Sequence, residues 1–248
     1  MSTVTVRFYG SLNDFLPARR KQTAFSGSFQ HRASVKDTIE SLGVPHPEVG
    51  LLLANGQSVG FSYRLEDGDF ISVYPAFEAL DVTEVSRVLP TPLPEYRFVL
   101  DCHLGKLAAF LRMLGFDTLY RNDYADPQLA QLSSQENRVL LTRDRGLLMR
   151  SAVVYGYYVR NTQPHQQLRE VIERFGLAGH LAPFQRCLVC NGLLHPVDKA
   201  AVFAQLPPLV QQSQDVFFQC SHCGRVYWEG THFQRMQDFV QLLFSAGR

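Results

Sequence analysis

The sequence predicts a mixed α/β protein built from a small α+β part, a parallel α/β core and a cysteine-containing C-terminal part. Three observations support this division. A proline-rich stretch at residues 89–94 separates the first two parts, strands and helices alternate after it, and two C-x-x-C motifs lie near the end. The length of 248 residues suits one to three domains, and a hydrophobic content of 46% excludes wholesale disorder.

Residues 1–80 show the pattern of a small α+β domain. Residues 4–9 alternate between polar and apolar, as a half-buried strand does, and a second strand is predicted near 22–29. Residues 33–43 read as a short helix capped by Ser34 and stopped by Gly43. Two further strands are predicted at 51–54 and 70–74.

This order resembles the ubiquitin-like β-grasp fold, which includes small sulfur-carrier proteins. The resemblance depends on Ser-Val-Lys-Asp at 34–37 and Leu-Glu-Asp-Gly-Asp at 65–69. A sulfur carrier ends in a free Gly-Gly, whereas this chain continues, so carrier function is excluded unless the protein is cut. The β-grasp surface is then a candidate site for a protein partner. Residues 81–94 are predicted to be a stiff linker, because three prolines occur within six residues.

Residues 95–183 predict a parallel sheet flanked by helices. Strands are expected at 97–100, 118–120, 138–142 and 153–159. The intervening helices cover 104–114, 127–136 (with Asp126 as N-cap and Pro127 in the first position) and 168–175, which Gly176 closes. Strands that alternate with helices imply right-handed crossovers and parallel pairing.

Four aspartates follow strands of this predicted sheet. Asp101 and Asp144 come directly after two strands, and Asp123 and Asp126 follow a third. The carboxyl ends of parallel strands share one rim, so these groups are candidates for binding Mg²⁺ or Mn²⁺ and for activating water against a phosphodiester. Helix capping is an equally good explanation for Asp126, and a turn explains Asp117 better than catalysis does.

Basic residues near the same rim are candidates for binding phosphate. They are Lys106, Arg143, Arg145 and Arg150. Residues 1–85 contain 7 basic and 10 acidic groups, whereas 86–248 contain 17 and 13, so the positive charge lies in the second part. Twenty of the 24 basic residues are arginine, whose planar fork suits phosphate, although composition alone favours solvated surface as the explanation.

Several motifs of the core and C-terminal part, taken in order, resemble one family. They are Leu-Asp at 100–101, Leu-Gly-Lys-Leu-Ala at 104–108, residues 111–119 and Leu-Leu-Thr-Arg-Asp-Arg at 140–145. The chain is similar to the Mut-seven C-terminal RNase family, a branch of the PIN-like nucleases that carries a zinc ribbon and often a ubiquitin-like domain in front. The resemblance implies a metal-dependent ribonuclease with Asp101 and Asp144 as Mg²⁺ or Mn²⁺ ligands and Asp126, or else Asp123, as the third. Many PIN domains have a further acid where this chain has Gly146, which puts two-metal chemistry in doubt.

Four cysteines in residues 184–248 predict a structural zinc site. Cys187, Cys190, Cys220 and Cys223 form two C-x-x-C knuckles, and four thiolates give a closed tetrahedral site. Disulfides and redox chemistry are the alternatives. The stretch between the knuckles is expected to be a strand excursion, and a helix follows them. Cys102, the fifth cysteine, is expected to be a small buried residue.

The sequence therefore predicts a cytoplasmic ribonuclease that hydrolyses RNA phosphodiester bonds, with structural zinc and catalytic Mg²⁺ or Mn²⁺. Single-stranded RNA is the expected partner, and Tyr227, Trp228 and Arg225 either stack on it or pack the ribbon. No apolar run reaches the ~18 residues of a membrane helix, and no signal peptide is recognisable. The alternatives are an RNA-binding protein with a weak or inactive centre, and an interaction adaptor that uses the β-grasp domain.

Overall fold

The N-terminal part is a five-stranded sheet with one helix. The computed structural model describes residues 2–29, 32–77 and 80–245. The elements of this part are β1 (Ser2–Phe8), β2 (Phe25–Phe29), α1 (Val35–Ser41), β3 (Val49–Ala54), β4 (Gln57–Ser58) and β5 (Phe70–Pro75). The sheet order is β2-β1-β5-β3-β4, in which only β1 and β5 run parallel. This is the β-grasp arrangement that the sequence predicts.

Helix α1 lies on this sheet because its apolar side and the inner side of β1 share a core. Ser34 caps the helix as predicted, since its Oγ accepts a hydrogen bond from the Asp37 amide at 3.1 Å. Val35 and Ile39 are fully buried in one cluster with Val4 and Val6 of β1. The alternating residues of β1 thus point inward, as the period of two requires.

The central part has parallel strands flanked by helices, as predicted. Its elements are β6 (Phe98–Leu100), α2 (Gly105–Met113), β7 (Thr118–Tyr120), α3 (Asp126–Gln135), β8 (Val139–Thr142), α4 (Arg145–Leu148), β9 (Gly156–Tyr158) and α5 (Pro164–Phe175). Strand β6 pairs in parallel with β7, and β8 pairs in parallel with β9. Every residue of β6 and β8 is buried, which is typical of parallel strands covered by helices.

Two local predictions in this part are wrong. The strand expected at 153–159 is only three residues long, because Val153 still belongs to a turn in which its amide donates to the Arg150 carbonyl at 3.0 Å. Asp126 is the first residue of α3 rather than its N-cap. The cap is Ala125, whose extended backbone is held by a 3.0 Å bond from its amide to Oε1 of Gln128.

The chain forms two compact units that combine segments distant in sequence. The first joins Met1–Glu95 to Tyr124–Tyr158, and the second joins Tyr96–Asp123 to Val159–Arg248. In the first unit, a short helical turn (His46–Glu48) contacts the later segment. His46 Nε2 lies 2.8 Å from the Val153 carbonyl oxygen, and Glu48 Oε1 accepts a 2.6 Å hydrogen bond from the Tyr158 amide. The later segment Tyr124–Tyr158 therefore packs on the N-terminal domain, although a linker and residues 96–123 separate the two in the sequence.

The C-terminal part is a small antiparallel sheet with three helices. Its elements are β10 (Leu194–Val197), α6 (Lys199–Val202), α7 (Pro208–Ser213), β11 (Phe217–Cys220), β12 (Val226–Trp228) and α8 (Thr231–Ser245). The strands pair in the order β10-β11-β12 around Val202, Leu206 and Phe217. The stretch between the knuckles contains strands β10 and β11, as expected, but helices α6 and α7 lie between these strands and were not predicted. Within the described ranges, no helix is both long and apolar enough to cross a bilayer.

Candidate metal centre and strand-end acids

The four predicted cysteines come together at the base of the C-terminal sheet. Sγ atoms of Cys187, Cys190, Cys220 and Cys223 all lie within 4.8 Å of one another. The Cys187–Cys223 separation is 3.7 Å and the Cys190–Cys220 separation is 3.4 Å, both far longer than a disulfide bond. All of these cysteines are free, so the disulfide alternative is not supported by the structure.

Each cysteine pair lies in a tight turn that aims backbone amides at sulfur. Cys220 Sγ lies 3.4 Å from the His222 amide and 3.5 Å from the Cys223 amide. Gly192 follows the other pair, and a Cβ at that position would lie 2.8 Å from Cys220 Sγ. A side chain there would push into the sulfur cluster, which explains the glycine.

The cysteine pKa values are shifted in opposite directions. Burial raises the pKa of Cys187, but hydrogen bonds from the Tyr227 hydroxyl and from backbone amides outweigh it and bring the value to about 6. Burial and the neighbouring sulfurs raise the pKa of Cys190 to about 12. Burial beside Cys187 also raises the pKa of Tyr227. The shifts thus favour a thiolate at Cys187 and disfavour ionisation of Cys190, as expected where close negative charges need a cation between them.

This donor set fits a structural metal such as zinc. Zinc–sulfur bonds of about 2.3 Å in a tetrahedron require sulfurs roughly 3.8 Å apart, close to the separations seen here. The fourth ligand is a cysteine as well, so no open position remains for a substrate. A metal at Cys187, Cys190, Cys220 and Cys223 would therefore stabilise the fold rather than take part in catalysis.

Two residues that the sequence did not single out fix the first knuckle to the α/β core. Arg112 of α2 is buried, and its guanidinium donates to the carbonyls of Thr118, Leu188 and Val189 at 2.9, 3.1 and 2.8 Å. Asn191 accepts from the Thr118 amide at 3.0 Å and donates to Asp117 at 2.8 Å. Asn191 also has a positive φ of 71°, which a turn-forming asparagine tolerates.

The aromatic residues of β12 contribute to this packing. The Tyr227 hydroxyl lies 3.1 Å from Cys187 Sγ and accepts from the Leu188 amide at 3.2 Å. The half-buried Trp228 packs against the small core around Val202. Tyr227 and Trp228 thus pack the C-terminal part, which is one of the two roles that the sequence suggests for them.

Asp101 and Asp144 occupy the strand ends at which the sequence predicts them, and both carboxylates bind backbone amides. Asp101 follows β6, is buried, and accepts from the Cys102 amide at 2.6 Å. Asp144 follows β8 by two residues, is exposed, and its Oδ1 accepts from the amides of Gly146 and Leu147 at 2.7 and 3.3 Å. Each side chain is therefore held in one orientation at the start of a helical turn.

The other two candidate acids are paired with arginine. Asp126 Oδ2 lies 3.7 Å from Arg150 Nη2, and both side chains are about half exposed. Asp123 receives two bonds from Arg121, at 2.9 and 2.7 Å, and these bonds lower the pKa of its carboxyl. Both oxygens of Asp123 are thus engaged by a neighbouring residue, so Asp126 is the better third candidate.

The candidate phosphate-binding residues have different surroundings. Lys106 on the first turn of α2 is exposed, Arg143 is half-buried, and Arg150 is exposed beside Asp126. Arg145 donates to the Phe15 carbonyl at 3.0 Å and its guanidinium lies over the Phe15 ring. Arg145 thus connects α4 to the N-terminal domain. Cys102 is half-buried, and burial beside Asp101 raises the pKa of its thiol.

Comparison with protein families decides the assignment. Residues 96–240, more than half of the chain, match the model of the Mut7-C RNAse domain. This chain belongs to the Mut7-C RNAse domain family. Residues 1–81 match a second model, the Mut7-C ubiquitin domain, so the ubiquitin-like domain precedes the RNAse domain as the sequence motifs predict. Membership of a Mut7-C RNAse domain family supports a nuclease-like function.

Two solved structures are each similar to about a third of this Mut7-C protein. One is a Pyrococcus furiosus protein named "Putative molybdopterin converting factor, subunit 1", with 20% identity and a TM-score of 0.25, covering 31% of this chain and 100% of that one. The other is SAMP1 from Haloferax volcanii, with 14% identity and a TM-score of 0.26, covering 32% of this chain and 100% of that one. No curated protein matches the chain.

Proposed function

We propose that this protein is a ribonuclease that hydrolyses phosphodiester bonds of single-stranded RNA with the help of a carboxylate-bound Mg²⁺ or Mn²⁺. The observation that carries the proposal is the match of residues 96–240 to an RNAse domain. The aspartates at two strand ends support it, because each is held in one orientation by backbone amides. The N-terminal ubiquitin-like domain would supply a surface for a protein partner.

Asp101, Asp126 and Asp144 are the proposed ligands of the catalytic ion. Carboxylate oxygens are the donors that Mg²⁺ and Mn²⁺ prefer, so the residue types fit. A bound ion would supply an activated water and neutralise charge that develops on the phosphate. Oδ1 of Asp144 already accepts two amide bonds, and these would keep its carboxylate from turning away when RNA binds.

Lys106, Arg143 and Arg150 are the proposed phosphate-binding residues. Lys106 and Arg150 are exposed, and Arg150 is held only by the 3.7 Å pair with Asp126 among the ion pairs of the described residues. An arginine fork can bind two oxygens of one phosphate, whereas lysine acts as a point charge. Arg145 is left out of this set because it contacts Phe15.

Cleavage of labelled single-stranded RNA by the purified protein in Mn²⁺ or Mg²⁺ tests the proposal. We expect Asp144→Asn to lower the cleavage rate by at least about 100-fold, since even residues that only orient a metal ligand contribute 10- to 100-fold. Asp81→Asn is the matched control, because Asp81 is an exposed carboxylate in the linker. Equal rates for Asp144→Asn and Asp81→Asn, with both variants folded, would contradict the assignment.

One feature favours a second function, RNA binding without efficient cleavage. At the position after Arg145, where many PIN-like domains have an acid, this chain has Gly146, whose amide donates a hydrogen bond to the capping carboxylate of Asp144. Tight binding of RNA by wild-type protein with no cleavage in either metal would favour this second function.

We propose zinc as the metal of the cysteine site. The purified protein is expected to contain one equivalent of zinc, measured by elemental analysis, and Cys190→Ser is expected to lose it together with the structure of residues 187–228. Cys102→Ser is the matched control because Cys102 lies outside the cluster. Full zinc content in Cys190→Ser would count against a four-cysteine site.

A further inference from the structure

Three helices of the second compact unit bring aromatic rings together at the surface. Phe110 of α2, His165 of α5 and Phe239 of α8 form a closed triangle of ring contacts. The centroid separations are 5.1 Å for Phe110–His165, 5.3 Å for Phe110–Phe239 and 4.6 Å for His165–Phe239. His165 is exposed, and the two phenylalanines are only half-buried. A contiguous aromatic surface of this kind typically marks a binding site.

Each ring has an exposed basic residue one helical turn away. Lys106 precedes Phe110 by four residues, Arg169 follows His165 by four, and Arg235 precedes Phe239 by four. Residues four apart lie on the same side of a helix, so the three cations border the three rings. Among the residues that the structure describes, none of the three forms an ion pair with an acid.

The acids on these helices do not cancel this charge. Apart from Arg112, which is buried and bonded to the first knuckle, the helices α2, α5 and α8 carry four basic residues and three acidic ones. One of the acids, Glu170, is already used by the Arg160 and Asn161 amides at 2.7 and 2.9 Å. The others, Glu173 and Asp238, are exposed, and two acids cannot neutralise the three cations Lys106, Arg169 and Arg235.

We infer that this surface, defined by Phe110, His165, Phe239, Lys106, Arg169 and Arg235, binds single-stranded RNA. Bases stack on aromatic rings whatever their sequence, and cations spaced around the rings suit the phosphates between stacked bases. An apolar protein segment would use the rings but leave the three cations without partners. A duplex would use the cations but keep its bases stacked on one another. The inference rests on the proposed function and adds to it a substrate-holding surface that the strand-end acids do not supply.

The test measures the binding of a fluorescent oligouridine by anisotropy, without added Mg²⁺ or Mn²⁺ so that no cleavage occurs. His165→Ala is expected to weaken binding about tenfold through the loss of one stacked base, and His165→Phe is expected to keep wild-type affinity. Arg169→Gln with Arg235→Gln should reduce the slope of log affinity against log salt by about 1.4, since each phosphate contact contributes roughly 0.7 on a single strand. The matched control, Arg19→Gln with Lys21→Gln, removes two exposed cations of the N-terminal domain.

Circular dichroism shows whether each variant is folded, and the Arg169/Arg235 double variant keeps the test valid if His165→Ala does not fold. Wild-type affinity in both His165→Ala and the Arg169/Arg235 double variant would overturn the inference, as would an equal loss in the control. Cleavage is measured separately on the same proteins. Normal cleavage with unchanged binding in the variants would reject this surface as an RNA site but leave the ribonuclease proposal intact. Weaker binding in the variants of a protein that does not cleave RNA would support the surface and contradict the ribonuclease proposal.

Discussion

Asn191 is the residue on which the junction between the first cysteine knuckle and the α/β core most clearly depends. It satisfies the amide of Thr118, which is completely buried and has no access to water. It does so from a left-handed backbone position with φ of 71°. A smaller side chain at this position would leave a buried donor unpaired and would adopt an unfavourable conformation at the same time.

We expect Asn191→Ala to lower the free energy of unfolding by about 2–5 kcal/mol. The left-handed conformation accounts for about 1–2 kcal/mol of this and the unpaired Thr118 amide for about 1–3 kcal/mol. Asn137→Ala is the matched control, since Asn137 also has a positive φ, of 49°, but is exposed. Its cost should be the conformational part alone. Urea unfolding followed by circular dichroism measures both, and equal losses would show that the Thr118 bond contributes nothing.

The sequence predicts which four cysteines come together but not the residues that support their turns. The C-x-x-C spacing is local, so four sulfurs were identifiable from the sequence alone. Arg112 and Asn191 act through partners far away in the chain, Leu188 and Thr118 respectively, and nothing local marks them. The same applies to Arg145, whose partner Phe15 lies far away in the chain and is not indicated by any local pattern.

At the scale of elements, two glycines that end helices differ in what surrounds them. Gly115, after α2, has φ of 98°, and a Cβ there would lie 2.2 Å from the Ala182 carbonyl oxygen. Gly176, after α5, has φ of 60° and open space around it. Residues 182 and 184 cross the end of α2 because their amides donate to the carbonyls of Leu114 and Met113. The first glycine thus permits an approach of two backbones, and the second only ends a helix.

Gly115→Ala should therefore destabilise the protein more than Gly176→Ala. We expect about 1 kcal/mol for Gly176→Ala, from the left-handed conformation, and at least about 3 kcal/mol for Gly115→Ala, where the backbone of residue 182 must also move. Thermal unfolding of the two variants side by side is the measurement. Similar losses would mean that the 182–184 segment moves aside easily.

The glycines alone predict where both helices end, but not how much stability each glycine-to-alanine substitution would lose. The sequence also predicts the Ser34 cap and the parallel pairing of the core strands, because these depend on neighbouring residues and on hydrophobic period. Capping at Asp126 was predicted wrongly because Ala125 uses a side chain further on, Gln128, to hold its amide. The helices α6 and α7 escaped prediction because each is at most six residues long, too short for a periodic pattern.

On the scale of the whole molecule, packing does not follow the order of the predicted domains. The proline-rich linker suggests an independent N-terminal domain, but Tyr124–Tyr158 belongs to the same compact unit as Met1–Glu95. Phe15 and Tyr158 pack edge to face at 5.3 Å, and Tyr155 donates to the Thr91 carbonyl at 2.7 Å. Contacts over such sequence distances leave no pattern in a single sequence.

We expect residues 124–158 to lose protection from hydrogen exchange in a fragment that begins at residue 96. That fragment lacks Phe15, His46 and Glu48, which contact this segment in the full chain. Residues 187–228 should keep their protection, because the four clustered cysteines and the supporting Arg112 are all retained. Exchange measured by mass spectrometry on both proteins compares the segments, and unchanged protection of 124–158 would show that the central part is stable by itself.

The carboxylate of Glu48 also affects the outer edge of strand β9. Strand β9 pairs with β8 on one side, and on its other side the Tyr158 amide donates to Glu48. An unsatisfied amide on an outer strand invites a second polypeptide to add itself there and so begin self-association. Because the Glu48 carboxylate accepts the hydrogen bond from the Tyr158 amide, an incoming strand would meet negative charge in place of a free N–H. This contact protects the outer edge of β9 against aggregation.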